Sequence, residues 1–202
     1  MKKPIFIRSY CRITNEKFIC DIEVILENSF ETNSEFLKEL YRLSDANYPK
    51  FHKMDLLCKA AFLACEFISK KEKFAQTNTA IILSNKNSSW ISDEKHANSI
   101  YGEDSTASPA VFVYTLPNIA LGEISIRHQL FSENLFLIFD EFSAENLVPY
   151  GDMLLKENKA ENLLTGWVEV EENELDVLIY FVKNQGENQH TIENVTNLYV
   201  QK

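Results

Sequence analysis

The sequence is poor in the residues that most often carry chemistry. Its four cysteines, Cys11, Cys20, Cys58 and Cys65, form no C-x-x-C pair. That removes the usual zinc-ligand spacings, and neither a metal site nor a cofactor is expected. Cys58 and Cys65 fall in an apolar helical run and read as small core hydrophobes in a reducing compartment. Only five glycines and five prolines occur in 202 residues, which argues against a long disordered segment. Positive charge is also short: the formal net charge is −10. A chain this acidic repels phosphate backbones and anionic lipid heads, so no nucleic-acid or membrane partner is expected. No apolar run can span a bilayer, because residues 107–121 carry Pro109, Pro117 and Asn118. After Met1-Lys2-Lys3 the apolar stretch ends at Arg8, too early for a signal peptide. The expectation is a cytoplasmic protein.

Hydrophobic residues make up 45% and charged residues 25% of the chain, ordinary values for a soluble globular protein. The length suits one domain with its own core, taken as 1–202. Residues 4–10 and 18–26 read as strands. Residues 33–43 read as a helix capped by Asn33 or Ser34. Residues 53–70 are the strongest helix; polar residues thin to Asp55, Lys59 and Glu66, so it must be covered on most sides. The runs 79–83 and 135–139 are almost fully apolar, as in strands of sheets covered on both faces. Residues 84–107 read as a polar surface loop with a helical turn near 93–99. Ser108-Pro109 opens a helix, residues 118–129 continue it, and residues 143–156 form another, with Pro149 inside it. Two strands, 163–170 and 175–182, flank an acidic spacer and suggest a hairpin whose tip, 169–174, is solvated. A last short strand is expected at 195–200. Strands alternating with helices give an α/β class: a mostly parallel sheet covered by helices, plus a C-terminal antiparallel hairpin.

Three stretches carry a family resemblance. Lys53-Met54-Asp55 precedes an Ala-rich helix. Ser108-Pro109 leads through an apolar stretch to Asn118 and Gly122. Ala160-Glu161 leads through a strand to Gly166. Together they resemble the N-terminal half of β-ketoacyl synthases of the thiolase fold, over roughly 53–170. The resemblance implies a layered thiolase-like half-fold. It also implies a nucleophilic cysteine at the turn between the strand 135–139 and the next helix. Counting from Gly122 without gaps, Glu141 takes that position, between Asp140 and Phe142-Ser143, and no cysteine follows Cys65. A carboxylate there cannot form the transferable thioester that condensation needs. The family's two catalytic histidines are also unmatched. His52, His96, His128 and His190 stand in no family-like context and read as surface or loop residues. No catalytic residue is therefore assigned.

By resemblance the chain looks like a truncated chain-length-factor-like subunit of aryl polyene or flexirubin-type pathways. Its implied partner is a full-length ketosynthase, or a second copy of the chain, with acyl carrier protein met only indirectly. The expected contact is a twofold or pseudo-twofold surface formed by 135–139 and 108–121, with Pro117, Asn118, Leu135, Leu137 and Phe139 in it. Two rival readings stay open: a small acyl-transfer or hydrolytic enzyme using Asp140-Glu141, and a homodimeric acyl-binding protein. Trp167, where the family has glycine, reads as core packing by default, with a partner or acyl contact as the alternative.

Overall fold

The computed structural model describes residues 4–102 and 107–201. Met1-Lys2-Lys3 and residues 103–106 of the polar stretch lie outside them. In chain order the strands are β1 (Phe6–Thr14), β2 (Lys17–Cys20), β3 (Glu23–Glu27), β4 (Thr79–Asn85), β5 (Asn134–Ile138), β6 (Asn162–Val170), β7 (Leu175–Lys183) and β8 (Asn188–Gln189). The helices are α1 (Asn33–Ser44), α2 (Leu56–Lys71), α3 (Trp90–Tyr101), α4 (Pro109–Val113), α5 (Ile119–His128), α6 (Ala144–Lys156) and α7 (Ile192–Val200).

The strands form one sheet of order β3-β2-β1-β7-β6-β4-β5, with β8 pairing the start of β1. β5, β4 and β6 are joined by parallel ladders, and the other neighbours are antiparallel. Followed across these ladders, β1, β3, β4, β5 and β6 point one way and β2, β7 and β8 the other. The sheet is thus mixed, with a majority direction. β6, β4 and β5, which hold the expected strands 163–170, 79–83 and 135–139, are adjacent in it.

The apolar runs lack a polar face because both faces are buried. Ile81, Leu83, Leu164, Val168, Val177, Ile179 and Phe181 enter the core beneath α1, α2 and α5. Ala80, Ile82, Leu163, Leu178, Tyr180 and Val182 enter the core beneath α6 and α7. Period-two alternation therefore sends apolar side chains to helices on either side. Gly166 is required where β6 meets β7, since a Cβ there would sit 1.9 Å from the Leu178 carbonyl oxygen. α2 is buried along nearly its whole length, as its composition demanded.

Several sequence expectations change. The run 18–26 is two strands, because Asp21 takes a left-handed conformation (φ 57°) and turns the chain. α1 is capped by Thr32, not Asn33 or Ser34: Thr32 and Glu35 form a reciprocal capping box. Asp55 is the cap of α2, accepting from the Cys58 N–H at 2.8 Å. Within the polar stretch 84–107 stands a full helix, α3. Pro149 sits inside α6 without ending it. The hairpin β6–β7 lies in the middle of the sheet, because β1 pairs the far side of β7. Glu169 is buried rather than solvated. It accepts from the N–H groups of Lys86 and Asn87 at 2.6 and 3.2 Å, and burial pushes its carboxyl up despite them. Residues 195–200 belong to α7, not a strand. Thr191 caps that helix, and Val195 and Leu198, one turn apart, reach the core.

Candidate functional site

The region singled out by the sequence is the turn from β5 into α6. β5 is an outermost strand, at the opposite end of the sheet from β3, registered on β4 from Ile81/Asn134 to Asn85/Ile138. The Phe139 N–H continues this by donating to the Asn85 carbonyl at 2.9 Å. The chain then turns through Asp140, Glu141 and Phe142, and Ser143 is the N-cap of α6. The Ser143 hydroxyl accepts from the Asn146 side-chain amide at 2.8 Å rather than from the helix backbone. Asp140 and Glu141 are exposed. Neither makes a side-chain hydrogen bond or ion pair to the described residues.

Phe142 turns inward and closes the space beside the turn. Its ring stacks on Tyr199 of α7, with centroids 4.0 Å apart, and stands edge-on to Trp167 of β6 at 6.3 Å. Trp167 is buried and its Nε1–H donates to Asp176 Oδ2 at 3.1 Å. The Tyr199 hydroxyl donates to the same oxygen. Arg12 of β1 pairs with Asp176 Oδ1 at 2.6 Å and lies over the Tyr199 ring. Three aromatic rings and the Arg12–Asp176 ion pair thus pack behind the β5–α6 turn. Sequence reading assigned Trp167 to packing, and that holds. It missed Arg12, Asp176 and Tyr199, which lie 23 or more positions from one another and announce no local motif.

The expected contact residues divide. Leu135 and Ile138 are 40% and 52% exposed, and no described strand pairs the outer edge of β5. β5 is therefore not the fully buried strand its apolar run suggests. Its faces are partly covered while its edge is open, since the sheet ends there. Leu137 and Phe139 are half-buried against the α6/α7 core of the chain itself. Pro117 and Asn118 lie between α4 and α5. Asn118 lines one groove with Gly122, Ile126, Phe131 and Asn134, so the start of α5 and the start of β5 share a surface. Phe131 is 93% exposed at that surface.

None of the four cysteines reaches the turn. All are buried and unbridged, and all lie in the core on the other face of the sheet. Burial pushes the Cys11, Cys58 and Cys65 thiols up. Two of the histidines expected at the surface, His128 and His190, are buried instead, each beside a carboxylate from a distant element. His128 Nε2 lies 3.2 Å from Glu66 of α2. His190 Nδ1 is 2.9 Å from Asp152 of α6, and its Nε2 is 3.3 Å from the Tyr180 hydroxyl. That last group has the composition of a catalytic relay, but the His190 side chain has no exposure and burial holds the Tyr180 hydroxyl un-ionised. It acts as a strut between α6, β7 and β8. His52 is exposed, and His96 is half-buried beside Phe112. Among the described residues no group of three or more His, Cys, Asp or Glu side chains could hold a metal ion. No described helix is long and apolar enough to cross a membrane.

No protein-family model matches the chain, and no curated protein matches it. Solved structures do match its fold. The ishigamide ketosynthase/chain length factor superposes with a TM-score of 0.64 at 13% identity, over 89% of this chain and 62% of that one. A ketosynthase in complex with its chain length factor from Xenorhabdus doucetiae gives 0.61 at 10% identity, over 91% of this chain and 79% of that one. A type II polyketide synthase acyl-carrier protein in complex with its hexaketide-bound ketosynthase gives 0.63 at 13%, over 91% and 63%. The fold is therefore the thiolase-like fold of ketosynthases. The chain spans less than two thirds of the length of the first and third of these structures.

Proposed function

We propose that this chain is a non-catalytic, chain-length-factor-like ketosynthase relative that pairs with an active ketosynthase in polyketide- or fatty-acid-type synthesis, of the aryl polyene or flexirubin kind. One observation carries the reading. At the β5–α6 turn, where a synthase of this fold holds its nucleophile, stand the exposed carboxylates Asp140 and Glu141, and Phe142, Trp167 and Tyr199 pack behind them. An anionic carboxylate cannot replace a thiolate in acyl transfer from a thioester. The hydrolase reading is less favoured because the two buried histidines, His128 and His190, pair with Glu66 and Asp152 rather than with these carboxylates.

The partner half of the proposal rests on β5. An outermost strand with an unpaired backbone edge and two exposed aliphatic side chains is a ready template for another chain. Among the similar folds, the Xenorhabdus doucetiae structure is a ketosynthase bound to its chain length factor. With a net charge of −10, this subunit repels an acidic carrier protein, so the basic docking patch belongs to the active partner.

The test uses the purified chain alone and co-expressed with the ketosynthases encoded beside its gene, with mass read by analytical ultracentrifugation. A heterodimer is expected, and a homodimer alone would favour the acyl-binding reading. Leu135→Asp and Ile138→Asp should keep the circular dichroism of the parent and weaken association at least about tenfold, since each sets an unpaired charge in the contact. If both folded variants associate as tightly as the parent, the contact lies elsewhere. Incubation with acyl and malonyl carrier proteins should give no acylated chain and no elongated product. Turnover through any cysteine would end the proposal.

A further inference from the structure

Cys11 and Cys20 face each other across the β1–β2 ladder. The Asp21 N–H donates to the Tyr10 carbonyl at 2.8 Å, and the Tyr10 N–H donates to the Asp21 carboxylate at 2.9 Å. The Tyr10/Asp21 pair is therefore one whose backbone groups face each other. The next pair inward, Cys11/Cys20, is a non-hydrogen-bonded pair by the alternation of antiparallel ladders. Such pairs bring Cα atoms to about 4.5 Å, within the range of about 4.4–6.8 Å that a disulfide spans. Both side chains point to the same face, into the core beneath α2. The other two cysteines cannot pair with each other, because seven residues along α2 separate Cys58 and Cys65 by about 10 Å.

We propose that Cys11 and Cys20 are a redox-reactive pair that closes a cross-strand disulfide when met by a small disulfide oxidant such as oxidised glutathione. Cys20 attacks first. It lies on the outer hairpin β2–β3, next to Asp21, whose carboxylate holds the Lys71 ammonium at 2.7 Å. The neighbouring Cys11 thiol lowers the Cys20 thiol, while burial raises Cys11. The Cys20 thiolate attacks one glutathione sulfur, forms a mixed disulfide and expels one glutathione thiolate, which takes up a proton. Cys11 then gives up its proton, attacks the Cys20 sulfur and expels the second glutathione. Two protein thiols are oxidised and one glutathione disulfide is reduced to two thiols. Both cysteines are buried (0% and 2% exposed), so reaction waits on opening of the edge hairpin, where Ile22 and Val24 are already exposed. Once closed, the bond ties β2 to β1 and restricts that opening.

The experiment treats the folded chain with an oxidised/reduced glutathione buffer at mildly alkaline pH, quenches by alkylation and maps it with trypsin without reduction. Each cysteine falls on its own tryptic peptide: 9–12, 18–38, 54–59 and 60–70. The expected result is a loss of two hydrogens per chain and a single link, 9–12 to 18–38. Cys58→Ser and Cys65→Ser should keep that link, and Cys11→Ser and Cys20→Ser should abolish it. The same oxidation in guanidinium should scatter links and include 54–59 to 60–70, because the fold no longer holds Cys58 and Cys65 apart. The proposal is overturned if the folded chain stays reduced while the unfolded chain oxidises, or if the folded link joins Cys11 to Cys65.

Discussion

Glu66, on α2, offers a sharp test of how the helix layer is held. It is 5% exposed and takes a two-point contact from Arg127 of α5, Nε to Oε1 and Nη2 to Oε2, both at 2.9 Å. His128 closes the site from the same helix. Burial by itself would raise the Glu66 carboxyl. The neighbouring His128 and the paired Arg127 guanidinium overturn that and hold it at about 2, against an ordinary 4.5. That displacement corresponds to about 3.4 kcal/mol at 1.36 kcal/mol per pKa unit. The Arg127 side chain is 29% exposed, so water screens part of the interaction, and we expect about 2 kcal/mol. Because the folded-state carboxyl is depressed, this stability is present above the unfolded-state value and is lost as pH falls from about 4.5 toward 2, more than half of it by about pH 3. Glu66→Gln keeps the shape and removes the charge. Urea unfolding followed by circular dichroism should put the variant about 2 kcal/mol below the parent at pH 7, with the gap narrowed to less than half of that at pH 3. An equal gap at both pH values would mean that packing, not charge, is what the substitution removes. No gap at pH 7 would mean that desolvation cancels the ion pair.

Other substitutions test the rest of the structure. Gly166→Ala should cost about 2–3 kcal/mol in chemical unfolding, because the new methyl meets the backbone of β7, which cannot rotate away. Asp176→Ala should cost about 3 kcal/mol by thermal unfolding, since it leaves the buried Arg12 guanidinium without its carboxylate and strands the donors of Trp167 and Tyr199. Leu137→Asp should lower the stability of the isolated chain by about 2–4 kcal/mol, because that side chain packs on the chain's own core; an unchanged melting curve would refute that packing. On the proposed reading, Glu141→Cys should yield no elongated product by mass spectrometry, because Phe142, Trp167 and Tyr199 still pack behind the turn.

By itself the sequence determined what depends on local pattern. The buried character of α2, the apolar runs of β4, β6 and β7, and the Ser-Pro opening of α4 are legible because burial on both sides of a sheet or helix writes itself into consecutive residues. That no cysteine follows Cys65, on which the proposed non-catalytic role rests, is also read by counting. Where local signals conflict, reading fails. Residues 195–200 look β-branched and short, yet Thr191 caps them into α7, and tertiary contact of Val195 and Leu198 decides the outcome. Only the folded chain decided which apolar strand would be left at the edge. The run of β5 is as apolar as that of β4, but no described strand follows it across the sheet, so Leu135 and Ile138 stay exposed. The fold alone also joined Arg12, Trp167, Asp176 and Tyr199, and gave His128 and His190 their carboxylates. Those are contacts between positions distant in the chain, and no periodicity encodes which charge will meet which across a sheet.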